Sequence, residues 1–335
     1  MPERVAVLGA GSWGLAVSRL LARRGCAVTV WEFLPEDYRR LVETRSRPDK
    51  LPGFTLEARV KISDDLAQAV ADADVVALAV PAQTLREVAR GMRSALPGRA
   101  LVVSLAKGIE TGSLMRMSQI LEQETGLSAE RVAVLSGPSH AEEVALDMPT
   151  TVVAASASEA SAIFVQELFS TGSFRVYQSD DVIGVELGGA LKNIVAIAAG
   201  ISDGLRLGDN TKGALLTRGL AEIVRLGVAL GARAETFSGL SGIGDLVTTC
   251  CSLHSRNRFV GEQIGRGRKL ADILGGMKMV AEGVETTRSG YELAARCQVE
   301  MPITEEVYHV LFKDRPAEEA AANLMERKLR AEIWT

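Results

Sequence analysis

Aromatic residues make up only 4% of this 335-residue chain, and cysteine is scarce too: Cys26, Cys250, Cys251 and Cys297 form no CxxC pair and no secreted-type framework. That usage argues against a disulfide scaffold and suits a reducing cytosol. Cys250, Cys251 and His254 lie close in sequence, but a fourth ligand and paired spacing are both missing, so no metal is expected there. Basic charge is not in excess: 38 Lys and Arg against 42 Asp and Glu leave a net charge of −4, which gives no footing for nucleic acid. Any bound anion must be held by local basic residues. Long apolar runs are also lacking, since the quietest stretch, 187–201, is too short for a bilayer span and contains Lys192 and Asn193. A strand pattern begins by residue 5 and leaves no room for a signal peptide, so a cytoplasmic protein without membrane insertion is expected. What is present is a globular composition, 47% hydrophobic and 24% charged, in a chain longer than one core usually supports. Two domains are expected.

The first thirty residues carry the strongest signal. An apolar run, Val5-Ala6-Val7-Leu8, empties into Gly9-Ala10-Gly11-Ser12-Trp13-Gly14, followed by helix formers over 16–24 and a second strand over 27–31 that ends at Glu32. In such a GxGxxG turn Gly9 permits the tight bend, Gly11 lets backbone approach a pyrophosphate, and Gly14 lets the helix lie against the strand. The free N–H groups opening the helix face the anion. Glu32 stands where the partner of the ribose 2′-hydroxyl is expected, so the segment reads as a dinucleotide site.

From residue 1 to 181, β-branched runs at 75–80, 101–105 and 132–135 alternate with helical stretches at 84–92 and 114–124, and strands at 151–154 and 174–177 flank a helix over 158–169. That βαβ rhythm predicts a Rossmann-type, doubly wound parallel sheet of the α/β class. After Asp181 the alternation stops. Helical stretches follow at 182–205, 211–230, 256–265, 284–297, 303–311 and 318–328, giving an all-α domain over 182–335.

Ligands of open parallel sheets bind beyond the strands' carboxyl ends. Lys107 stands just past the strand at 101–105, either facing a bound cofactor and substrate or solvated in its loop. Ser136-Gly137-Pro138-Ser139 either contacts ligand or caps a turn into a helix near Ala141. On the helix from 182, helical periodicity groups Lys192 with Gly188, Gly189, Ala196 and Ala199, opposite Ile183, Leu187, Ile194 and Ile201. A lysine on a small-residue face can be tuned for proton transfer, although it could equally snorkel or pair with Glu186. Asp245 sits in the glycine-rich Gly239-Leu240-Ser241-Gly242-Ile243-Gly244, and Ser255-Arg256-Asn257-Arg258 follows, with Arg256 offering a fork suited to phosphate. Together with a hydride cofactor, the set suggests a reductase site for a small phosphorylated carbonyl compound.

Those segments, with Ser104-Leu105-Ala106-Lys107-Gly108-Ile109-Glu110 and Ala190-Leu191-Lys192-Asn193, occur in the order that resembles the bacterial type of NAD(P)-dependent sn-glycerol-3-phosphate dehydrogenase from residue 4 to about 330. The resemblance implies Lys192 as catalytic acid/base, with substrate contacts from Lys107, Gly137, Ser139, Lys192, Asp245, Ser255, Arg256 and Asn257. It implies cofactor contacts from Ser12, Trp13, Lys107, Ala141, Arg256, Val280 and Glu282. It also implies a cytoplasmic homodimer that interconverts dihydroxyacetone phosphate and sn-glycerol 3-phosphate for phospholipid synthesis. Glu32-Phe33 stands where relatives carry a small residue and then Arg or His, which favours NAD, with NADP possible. Three other readings fit less well. A sugar-nucleotide dehydrogenase needs a catalytic cysteine, and none lies near Lys192; an enzyme of the 6-phosphogluconate type would lack the Ser255-Arg256-Asn257 set in this context; a dinucleotide sensor would need no lysine in the cleft.

Overall fold

Val5 and Val7 turn to one side of the first strand and Ala6 and Leu8 to the other, and both sides are buried. A strand covered on two faces must be apolar at every position, which is why it reads as a continuous run. The computed structural model describes residues 3–329 and 331–332. Among these, strands β1 (Arg4–Leu8), β2 (Ala27–Trp31), β3 (Lys61–Ser63), β4 (Val75–Leu78), β5 (Leu101–Ser104), β6 (Val132–Ser136), β7 (Thr150–Ser156) and β8 (Phe174–Ser179) form one sheet in the order β3-β2-β1-β4-β5-β6-β7-β8. The order reverses between β1 and β4, and the glycine turn leaves β1 at that switch point.

The expected parallel pattern breaks once. β7 runs antiparallel to β6, pairing Ser136 with Val153, because the chain between them holds only the short helix Ala141–Ala145. A parallel crossover usually carries a helix that packs along the strands, and five helical residues rise only about 7 Å against the roughly 16 Å of a five-residue strand, which favours the antiparallel return. β3 escaped the sequence reading because three residues leave no alternation to detect.

Beyond β8 the chain becomes helical, beginning with Val182–Gly204. This central helix extends the quiet run 187–201 at both ends and is thereby long and apolar enough to cross a membrane, yet 89% of its apolar window lies inside the protein. Its two-faced pattern also proves moot, since every residue from Gly184 to Ser202 is buried. The helices Asp209–Ala229, Asp245–Cys251, Arg256–Gly265, Glu282–Cys297 and Pro302–Phe312 belong to the same half, and Val185 packs with Val134, Val153 and Ala155 of the sheet.

One crossing fixes the site. A Cβ added to Gly261 would lie 2.0 Å from the Ile197 carbonyl oxygen, and one on Gly200 would lie 2.0 Å from that of Arg258. The helix that begins at Arg256 therefore touches the central helix backbone to backbone. Alanine is a better helix former than glycine, but here its methyl would have to push two helices apart. Gly261→Ala should consequently destabilise the protein by about 1–3 kcal/mol, seen as a lower Tm in scanning calorimetry. A Tm at or above that of the unaltered chain would show that the helices part without cost.

Candidate active site

The glycine turn is built as its spacing requires. Gly9 has φ +105°, and its N–H donates to the Trp31 carbonyl at 3.0 Å. A Cβ on Gly14 would sit 1.8 Å from the Gly9 carbonyl oxygen, which forces glycine there, whereas one on Gly11 would meet nothing within 4 Å. Gly11 is the N-cap of the helix Ser12–Arg23 and supplies no capping side chain. The first amides of that helix thus open toward free space, a cradle that fits a pyrophosphate.

Around this turn the chain converges from far away. Ser12 Oγ donates to the Lys50 carbonyl at 2.7 Å and lies 3.2 Å from Met279 Sδ, while Lys50 Nζ donates to the Lys278 carbonyl at 2.5 Å. Trp13 is half-buried against Phe174. Ala141 is buried at the start of its helix, and Val280 is half-exposed. Glu282 opens the helix Glu282–Cys297 and accepts the Ala82 N–H at 3.2 Å; burial pushes its carboxyl up to about 7. At the end of β2, Glu32 is buried and accepts the Leu34 N–H at 3.0 Å, and burial raises its pKa. Phe33 points outward and is 69% exposed.

The chemistry centres on two lysines and one carboxylate. Lys107, just past β5, donates from Nζ to the Gly137 carbonyl and to Asp245 Oδ2, both at 2.8 Å, and lies 3.4 Å from Ser139 Oγ. Gly137 takes φ +134° and presents that carbonyl. Lys192 Nζ reaches Thr249 Oγ1 at 2.6 Å and Asp245 Oδ1 at 3.2 Å. Asp245 therefore bridges an ammonium from each half of the chain, and the alternative partner Glu186 is engaged instead with Arg116 and Ser118. Burial lowers the Lys192 pKa to about 8, with Asp245 opposing that shift and Lys107 adding to it. A Cβ on Gly189 would fall 2.4 Å from Ser136 Oγ, so the glycines beside Lys192 serve close packing.

The Ser255-Arg256-Asn257 group divides. Ser255 Oγ caps its helix by accepting the Arg258 N–H at 3.2 Å. Asn257 Oδ1 accepts the Gly283 N–H and its Nδ2 donates to Asn193 Oδ1, both at 2.9 Å, so this side chain chiefly ties three helices together. Arg256 is exposed and has no hydrogen bond or ion pair among the described residues. It is left available for an anion.

Sequence reasoning missed several neighbours of this cluster. Thr249 stands four residues after Asp245 on one helix, a spacing that puts both on one face, and its hydroxyl meets Asp245 Oδ1 at 3.2 Å. His140 is held below the usual imidazole range by burial first and then by Lys192 and Lys107. Cys250 lies near Lys192 in space although distant in sequence. Burial pushes its thiol up to about 12, so it is no nucleophile. No group of three or more potential metal ligands occurs among the described residues.

Comparison with known proteins identifies the family of both halves of the chain. Residues 4–162 match the family model for the N-terminus of NAD-dependent glycerol-3-phosphate dehydrogenase, and residues 181–322 match that for its C-terminus. The chain is 52% identical to a glycerol-3-phosphate dehydrogenase [NAD(P)+] of Geobacter sp. (strain M21), covering 99% of both chains, and 51% identical to that of Geobacter sulfurreducens, covering 100% of both. It superimposes with TM-score 0.94 on the crystal structure of glycerol-3-phosphate dehydrogenase from Coxiella burnetii, at 36% identity over 97% of this chain and 99% of that one. A ketopantoate reductase from Ralstonia eutropha, 17% identical with TM-score 0.61, shares the fold alone, covering 95% of this chain and 99% of that one. This chain belongs to the NAD-dependent glycerol-3-phosphate dehydrogenase family.

Proposed function

We propose that the chain reduces dihydroxyacetone phosphate to sn-glycerol 3-phosphate, reversibly and with NAD(P)H, through the two lysines that Asp245 joins. The observation that carries this reading is the shared carboxylate: Lys107 at 2.8 Å and Lys192 at 3.2 Å leave the pair with a net positive charge. An anionic substrate and a developing alkoxide are both stabilised there. The glycine turn, Lys107, Ala141, Arg256, Val280 and Glu282 hold the cofactor, which when bound supplies a hydride to the carbonyl carbon.

Lys192 gives its proton to the carbonyl oxygen as charge builds on it, and takes one back in the reverse direction. Lys107 is pinned by three oxygens and steadies charge without surrendering a proton. Asp245 orients both ammonium groups, and Thr249 fixes the rotamer of Lys192. Arg256 takes the substrate phosphate in a charge-assisted fork, helped by the amides that open its helix. Ser139, Gly137 and Ser255 line the pocket, with Asn257 contributing its remaining N–H.

The division of labour falls at Asp181, with residues 1–181 holding the cofactor and 182–335 the substrate. The protein works in the cytoplasm as a homodimer and supplies glycerophospholipid synthesis. In support of a dimer, the helical half leaves an apolar cavity of about 740 Å³ rimmed by exposed Leu207, Met325 and Leu329, a face that a second copy would cover.

Lys192→Met should lower kcat by about 10²–10⁴-fold, while NADH affinity and Tm stay close to those of the unaltered enzyme. Near-normal kcat in a folded variant would pass the role to Lys107. Because Lys192 must be protonated to donate, kcat/KM for the ketone should fall as pH rises through about 8, and oxidation of the alcohol should gain over the same range. Reduction that stays level up to pH ~10 would contradict a lysine donor with its pKa lowered by burial. Arg256→Ala should cut kcat/KM for dihydroxyacetone phosphate by about ten- to a hundredfold and lower the slow turnover of unphosphorylated dihydroxyacetone much less, by no more than its share in holding the cofactor. Equal losses on both substrates would leave Arg256 to the fold or the cofactor alone and remove it from the substrate phosphate.

A further inference from the structure

Behind the end of β2 lies a charged cluster that includes Glu32. Arg47 is 1% exposed, yet it is a cation. Its guanidinium meets Glu32 Oε2 at 3.3 Å, Asp37 Oδ2 at 2.9 Å, and Asp49 through Nε at 3.2 Å and Nη2 at 3.1 Å. Three carboxylates around one buried guanidinium are a costly way to fill space, since an apolar group of similar volume often serves stability as well. The arrangement leaves Glu32 immobile, with one oxygen on the Leu34 N–H and the other on Arg47. A carboxylate can accept about four hydrogen bonds, so capacity remains for a vicinal diol.

We propose that Arg47 is a positioning residue that sets cofactor choice at the adenosine ribose: it fixes Glu32 to accept the 2′-hydroxyl of NADH, and its charge is consumed by Glu32, Asp37 and Asp49, so that a 2′-phosphate meets carboxylate instead of guanidinium. The inference rests on the reading of Glu32 as the ribose partner. Two other cations lie close by. Arg40 is 3.6 Å from Asp49 with its side chain half exposed, and Lys50 Nζ is turned to the Lys278 carbonyl. Neither touches Glu32 in the contacts that hold it. With Glu32 shortened, Arg47 becomes the guanidinium best placed for a 2′-phosphate, the role an arginine near this strand end plays in NADP-binding folds.

Dissociation constants for NADH and NADPH, measured by quenching of tryptophan fluorescence, test this without turnover. The unaltered protein should bind NADH at least about tenfold tighter than NADPH, and Glu32→Ser should tighten NADPH by about tenfold or more. That gain should vanish in Glu32→Ser/Arg47→Met and grow further in Glu32→Ser/Asp49→Asn, which keeps Arg47 and frees more of its charge. No gain in Glu32→Ser, or a gain that persists without Arg47 and so belongs to Arg40 or Lys50, overturns the proposal. Should the Arg47→Met double variant fail to fold, the Asp49→Asn pair decides alone, and an absent further gain there counts against Arg47. Equal affinities in the unaltered protein would instead overturn the reading of Glu32 on which the proposal stands.

Discussion

Lys192 is a cation on a helix with no exposed face, and the rest of the site follows from keeping it there. A buried ammonium must lose its proton or find a counter-charge. Asp245 supplies that charge from a short helix at the end of a glycine-rich turn, but the same carboxylate also holds Lys107, delivered from the sheet half. One carboxylate cannot neutralise two ammonium groups. The surplus stays inside the protein, near the region where β5 and β6 end, and it is the charge on which the proposed anion site rests.

Such a charge set holds only if the elements carrying it are fixed to within fractions of an ångström. Glycine achieves this by letting backbones touch. Gly188 packs where a Cβ would be 2.5 Å from the Ser241 carbonyl oxygen, which ties the central helix to the turn leading to Asp245. Gly283 does the same against the Asn193 carbonyl at 2.7 Å, and the Asn257 amide closes that junction by bonding both Gly283 and Asn193. Lys192, Asp245, Arg256 and Glu282 therefore stand on helices whose spacing is set by backbone contact, which flexes far less than side-chain packing.

How much of this could be read from the sequence depended on the range of each constraint. The GxGxxG turn was legible because its requirements are local: a positive φ at Gly9 and a steric ban at Gly14 act within six residues. Most strands of the sheet half were legible because burial on both faces leaves an apolar signature, whereas β3 is too short to leave one. The helix carrying Lys192 misled the periodicity argument, since a helix buried all round has no polar face and its glycines mark neighbouring backbones. Lys107, Lys192 and Asp245 could each be suspected alone. Their union across 138 residues of chain could not, nor could the capture of Glu32 by Arg47, because both are products of tertiary packing.

The groups nearest the two lysines show how the charge is kept usable. His140 and Cys250 both lie close enough to feel Lys192, and each could in principle exchange protons with it. Burial holds the imidazole neutral by lowering its pKa and holds the thiol neutral by raising its own, so near pH 7 neither adds a charge or competes for the proton. Thr249 then offers only a hydroxyl, a partner that can accept from the ammonium or donate to Asp245 without changing charge itself. The surroundings of Lys192 are therefore polar enough to hold it and too neutral to quench it. Desolvation lowers its pKa and Asp245 resists that fall, a balance that suits the proton transfer proposed for it.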